Sequence, residues 1–138
     1  MSAENKAAFR RWFDEVWNKG RVDAIDEMLT ADVIVHGVGP DLVGPEGFKP
    51  FHRAYRDAFP DVTIHVDLLV AEGDLVAGSW HATGTHKGDG LGFAATGRPA
   101  QFSGMTIMRF ANGKLAEGWN SFDQLGMLQQ LGIVSHPR

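Results

Sequence analysis

The chain has 138 residues, enough for a single domain over residues 1–138 with one core, and carries 13 basic and 17 acidic side chains for a net charge of −4 with histidines neutral. Those charges are dispersed with no block of one sign, which excludes nucleic acid and membrane surfaces as expected partners. Cysteine is absent, which excludes both a disulfide framework and a thiol nucleophile.

Phe9, Trp12, Phe13, Val16 and Trp17 fall at i, i+3, i+4, i+7 and i+8, the apolar stripe of a helix over about Ala3 to Asn18. Ser2 suits its N-cap and Gly20 its stop. Val22, Ile25 and Leu29 predict a short second helix. Asp32 to His36 reads as a short strand, closed by a Gly/Pro loop through Pro40. A third helix is expected from about Pro45 to Phe59, with Phe48, Phe51, Tyr55, Ala58 and Phe59 as its buried face. Pro45 fits the first turn after Gly44, Pro60 ends the helix, and Pro50 predicts a late start or a kink.

The remainder predicts a four-strand antiparallel meander at about Thr63–Glu72, Leu75–His86, Ala100–Ala111 and Lys114–Phe122. Glu72-Gly73-Asp74 and Ala111-Asn112-Gly113-Lys114 supply tight turns. Lys87–Gly97 holds four glycines and reads as a long, mobile loop. Leu125, Leu128 and Leu131 predict a last short helix. Helices followed by strands imply an α+β fold with helices packed on one face of a curved sheet. Met1 to Arg11 lacks the apolar core of a signal peptide, and no apolar run approaches the ~20 residues of a membrane helix. A cytoplasmic chain is the expectation.

The last strand carries the candidate chemistry. Glu117, Trp119, Ser121 and Asp123 are spaced by two and share a strand face. Two carboxylates beside a tryptophan read as the wall of a partly apolar pocket, where a carboxylate loses water and becomes a usable base. The hairpin register decides what faces them. A two-residue Asn112-Gly113 turn sets Glu117 opposite Met108. A bulged turn at Gly113 sets it opposite Ile107 and places Arg109 on the Glu117 face. The bulged turn is favoured because it gives Arg109 a carboxylate neighbour. On the second strand of the meander, Trp80 and His86 share the face expected to join the pocket, and His36 ends the first strand where it is able to point the same way.

The ordered set Asp32-Val33-Ile34-Val35-His36, Ala58-Phe59-Pro60-Asp61, Gly84-Thr85-His86, Thr96-Gly97-Arg98, Arg109-Phe110, Asn112-Gly113-Lys114, Glu117-Gly118-Trp119, Asp123 and Gln130-Leu131-Gly132 resembles the SnoaL-like polyketide cyclases of the nuclear-transport-factor-2-like superfamily. The resemblance runs from about residue 5 to 132. It implies a cone-shaped barrel, a strongly curved and mostly antiparallel sheet wrapped around the N-terminal helices, with a pocket inside and assembly as a homodimer or homotetramer. It also implies a cofactor-free aldol-type cyclisation, or a related isomerisation, of a small hydrophobic or cyclic ligand. The family's acid–base aspartate falls at Asp123. A pocket position that is often histidine in the cyclases falls at about Arg109, which holds charge but does not exchange protons near neutral pH.

The catalytic candidates are therefore Asp123, His86, His36 and Arg109, the last three as donors for a developing oxyanion. Trp80, Met105, Ile107, Glu117 and Trp119 are the expected substrate-binding residues. Two plainer assignments compete with these: Asp123 as the N-cap of the last helix, and Glu117 with Arg109 as a structural ion pair. Histidines and carboxylates show no metal-ligand spacing, so no metal is expected, and the resemblance implies no cofactor. A non-catalytic ligand-binding or dimerisation module on the same scaffold is the alternative function.

Overall fold

The structure is a computed structural model and describes residues 2–135. It contains α1 (Ser2–Trp12), which runs on as a π-helical segment (Phe13–Asn18), α2 (Val22–Met28), β1 (Leu29–His36), β2 (Leu42–Val43), α3 (Gly44–Ala58), β3 (Thr63–Glu72), β4 (Leu75–Thr85), β5 (Pro99–Ala111), β6 (Lys114–Phe122) and α4 (Gln124–Gln130). The six strands form one sheet in the order β2-β1-β6-β5-β4-β3. β3 to β6 are the expected antiparallel meander, and β1 joins it by pairing parallel to β6. This is the expected α+β fold. The sheet stays open, because its edge strands β2 and β3 do not pair with each other, so a closed barrel is not formed.

The first helix delivers its stripe as expected. Phe9, Trp12, Phe13, Val16 and Trp17 are all buried. The helix widens at its end, where the Lys19 N–H reaches back five residues to the Asp14 carbonyl at 2.9 Å. Asn18 then pins the end to the sheet, accepting from the Ile64 N–H at 2.6 Å and donating to the Ile64 carbonyl at 2.9 Å. Ser2 lies inside α1 rather than capping it. Leu29, expected in α2, instead opens β1. Pro50 sits inside α3 without dividing it, on the exposed side.

Along β4 and β5, Val76, Trp80, Ala82, Phe102, Thr106 and Met108 point to the helices and are buried. His52 of α3 is buried beside Trp17 and donates from Nε2 to the Val16 carbonyl at 2.6 Å. Burial holds its pKa below the usual histidine value, so the ring is a neutral structural donor. At the far end Gln130 of α4 grips the free edge of β5, donating to the Gln101 carbonyl at 2.6 Å and accepting from the Gln101 N–H at 2.7 Å.

Phe9 is fully buried and packs on Phe13 at 5.2 Å between ring centroids. Phe9→Ala is expected to cost about 3–5 kcal/mol in urea unfolding, because the cavity it leaves lies between helix and sheet where neither easily collapses.

Candidate active site

The cavity of the fold lies between the helices and the inner face of the sheet. Its walls are Trp12, Phe13 and Trp17, then Phe48, Phe51 and Tyr55 of α3, with Trp80, Phe102, Thr106, Met108, Gly118, Asn120 and Phe122 from the meander. Its volume is about 80 Å³, below the ~300–1,000 Å³ of pockets that hold drug-sized ligands. A fused-ring ligand enters only if lining side chains turn aside.

Which side chains of β6 reach this cavity is settled at Ala116. The turn Asn112-Gly113 is the two-residue kind, with φ of 53° and 80° and Ala111 paired to Lys114. Phe110 then pairs with Leu115, but Arg109 pairs with Glu117, so Ala116 is an extra residue on β6. Neither register expected from the sequence holds over the whole hairpin. The turn is unbulged, and the bulge three residues later is what puts Arg109 opposite Glu117. Leu115 faces in, and strict alternation would turn Glu117 inward too. The bulge shifts the alternation by one, and Gly118, Asn120 and Phe122 face in instead.

The expected pocket wall is therefore the outer surface. Glu117, Trp119, Arg109, Ile107 and Met105 all lie on the side of the sheet away from the helices, and Met105, Ile107 and Trp119 are exposed. Of Trp80, Met105, Ile107, Glu117 and Trp119, Trp80 lines the cavity. Asp123 is exposed at the start of α4, where its Oδ1 accepts the Gly126 N–H at 2.9 Å. It lies outside the cavity lining, in the capping arrangement. His86 is fully buried against Phe59 and accepts the Thr96 N–H at Nδ1, but it too lies outside the lining.

The polar groups inside form one row. Trp80 Nε1–H donates to Thr106 Oγ1 at 3.0 Å, Thr106 donates to Asn120 Oδ1 at 2.9 Å, and Asn120 Nδ2 donates to the His36 carbonyl at 3.1 Å. Thr106 and Asn120 escaped the sequence reading. The signal was a lone threonine and a lone asparagine on strand faces otherwise held by Phe102, Met108, Phe110 and Phe122. Tyr55 completes the set at the wall, hydrogen-bonded to Gln124, with burial pushing its hydroxyl pKa up to about 12. Among the described residues that line the cavity there is no carboxylate and no histidine. Among the described residues no group of three or more His, Cys, Asp or Glu side chains is arranged to hold a metal ion.

The charged groups gather outside around His36. Its Nε2 meets Glu117 Oε2 at 2.7 Å, its Nδ1 meets Asp41 Oδ1 at 3.0 Å, and its ring stacks on Trp119 at 5.6 Å. Arg109 approaches the other Glu117 oxygen at 3.4 Å. A neutral imidazole has one N–H, so donating to two carboxylates at once requires the charged ring. The Glu117 and Asp41 hydrogen bonds accordingly hold the His36 pKa above its usual value, and His36 with Arg109 holds Glu117 below its own. Behind the ring the chain turns sharply at Gly37, whose φ is 87° and where an added Cβ would collide with the Asn120 carbonyl oxygen.

The His36 contribution is complete below the unfolded histidine value of ~6.5 and is lost as pH rises through the raised folded value. The Glu117 contribution is present above the unfolded carboxylate value of ~4.3 and is lost as pH falls through the depressed folded value. His36→Phe keeps the stack on Trp119 and removes the charge. Urea unfolding of wild type and this variant between about pH 5.5 and 9 is expected to show an advantage for wild type that shrinks as pH rises. An advantage independent of pH would contradict the charged clamp.

Comparison with known proteins follows the same outline. The sequence profile of the SnoaL-like polyketide cyclases matches residues 7–131. The aklanonic acid methyl ester cyclase of Streptomyces peucetius is 31% identical over 125 residues, covering 86% of this chain and 84% of that protein. A solved polyketide-cyclase homologue from Acidithiobacillus ferrooxidans superposes with a TM-score of 0.84 at 33% identity, covering 94% of each chain. A SnoaL-like protein from Jannaschia sp. CCS1 has the same fold, with a TM-score of 0.88 at 24% identity over 99% of this chain and 95% of its own. With the profile spanning nearly every element of the fold, the chain belongs to the SnoaL-like polyketide cyclase family.

Proposed function

We propose that this chain is a cofactor-free, cyclase-like enzyme that closes a ring in a small, largely apolar ligand, and that Asn120 holds the oxygen on which negative charge develops. The observation that carries this reading is the Trp80–Thr106–Asn120 row inside an apolar cavity. Thr106 spends its single proton on Asn120, and Trp80 spends its own on Thr106. The Asn120 amide has two N–H bonds, and one goes to the His36 carbonyl. The second is available to a carbonyl or enolate oxygen in the cavity. A preoriented donor in a dry site stabilises such an oxyanion far more than water does.

Aldol closure removes a proton from carbon next to a carbonyl, and the carbanion then attacks a second carbonyl. The neutral lining suits a ligand whose reacting C–H lies between two carbonyl groups, acidic enough to give its proton to water, and the alkoxide formed on closure takes a proton back from water. Tyr55, held protonated, is a second neutral donor at the wall. In a second reading, which follows the resemblance, Asp123 is the proton acceptor. It is favoured by the Tyr55–Gln124 hydrogen bond, which ties the residue after Asp123 to a cavity-wall side chain.

Two variants test these readings on an accepted ligand of this class. Asn120→Leu keeps the volume and removes the amide. It is expected to lower kcat/KM by about 10²–10³-fold, and unchanged turnover would refute the role of Asn120. Asp123→Asn is nearly isosteric, and asparagine caps helices as well as aspartate does. The fold is therefore expected to persist. Turnover within a few fold of wild type leaves Asp123 a cap, and loss of turnover at unchanged stability makes it the base.

A further inference from the structure

Glycines interrupt the strands at Gly78 and Gly84 in β4, Gly104 in β5 and Gly118 in β6. Glycine weakens a strand, because it loses the most backbone freedom on folding and has no side chain to pack. The first three have a packing reason. A side chain at Gly78 would collide with Phe9 and Leu69, one at Gly104 would collide with Trp80 and Phe122, and one at Gly84 would press on the Phe59 ring. Gly118 differs. It is buried and lines the cavity, yet an added Cβ would meet only the Ile107 carbonyl oxygen, at an ordinary contact distance of 3.9 Å. Its φ is not positive, so neither a turn nor the bulge at Ala116 requires glycine there. A side chain at this position would strengthen the central strand, and its absence points to a demand other than folding.

We infer that Gly118 is a specificity-determining position of the cavity, where the edge of a flat ring of the ligand takes the space of the missing side chain and lies against the bare β6 backbone. The inference rests on the reading that the cavity takes a small, largely apolar ligand. Val35 on β1 and Met108 on β5 are the cross-strand partners of Gly118, and both line the cavity. Neighbouring strands lie about 4.8 Å apart, so the missing side chain leaves a narrow slot between two apolar walls. Such a slot admits a flat ring edge-on. Asn120 follows two residues later on the same face, about 6.6 Å along the strand. A carbonyl borne by a ring seated at Gly118 then comes within reach of the Asn120 amide.

Acetophenone and ethylbenzene test this, because they have nearly the same shape and differ in the carbonyl. Binding is followed by the backbone amide shifts of the isotopically labelled chain. Wild type is expected to bind both probes, with the Gly118 amide among those that move. Gly118→Ala is expected to raise Tm by ~2–4 °C, the gain of replacing a strand glycine where space is free. The same variant is expected to weaken both probes about tenfold or more, because the methyl group stands where the ring edge goes. A glycine kept only for structure would not couple higher stability to lost binding.

Asn120→Leu separates this inference from the role given to the amide. It is expected to weaken acetophenone and spare ethylbenzene. If it weakens neither, the Asn120 contact fails and the Gly118 inference stands on its own variant. Wild-type affinity for ethylbenzene in Gly118→Ala would overturn the inference. So would a lowered Tm for that variant, since the space would not be free, or a wild type that binds neither probe.

Discussion

A single extra residue in β6, Ala116, governs how this fold divides its chemistry. β6 is the centre of the sheet, paired to β5 on one side and to β1 on the other. Side chains on a strand alternate, so one inserted residue exchanges the two faces for everything that follows it. Downstream of the bulge, Gly118, Asn120 and Phe122 meet the helices, while Glu117 and Trp119 meet the outside. The same insertion puts Arg109 beside Glu117 without bringing either charge into the core. Burying that pair would have carried a desolvation cost of several kcal/mol per ion. The bulge keeps the ions half in water, and the polar side chain it turns inward, Asn120, is hydrogen-bonded to Thr106 and to the His36 carbonyl.

The two faces are nevertheless joined through His36. Its ring lies in the outer charged cluster, and its carbonyl accepts the Asn120 amide on the inner side. Gly37 permits the close approach, because no side chain fits between that turn and Asn120. The geometry of the inner polar row is thus anchored by ion pairs that lie outside the cavity. This arrangement separates the anchoring charges from the cavity. Charges that fix position stay where water tempers their cost, and neutral donors face the cavity, where a low dielectric strengthens each hydrogen bond.

The elements were legible in the sequence because they depend on local signals. The stripe from Phe9 to Trp17, the glycine turns and the run from Thr63 to Phe122 gave the helices and the meander nearly to the residue. The faces were less legible. Period two is a sound rule within an unbroken strand, but nothing in Leu115-Ala116-Glu117 announces an insertion. Asp123 illustrates a second limit. The same residue satisfies both a cap pattern and a family pattern, and only the Gly126 N–H bond shows which local geometry it adopts. Thr106 and Asn120 were passed over because neutral polar residues carry no charge signal, although each is isolated on an apolar strand face.

The absence of native cysteine makes the inside–outside assignment of β6 directly measurable. Glu117→Cys and Asn120→Cys each introduce the chain's single thiol, and the rate of modification by a small soluble thiol reagent under native conditions reports access. The bulged register predicts faster labelling at 117, on the outer surface, than at 120, which is half-buried on the cavity side. Faster labelling at 120 than at 117 would mean that β6 presents the opposite face to the cavity, and would contradict the account.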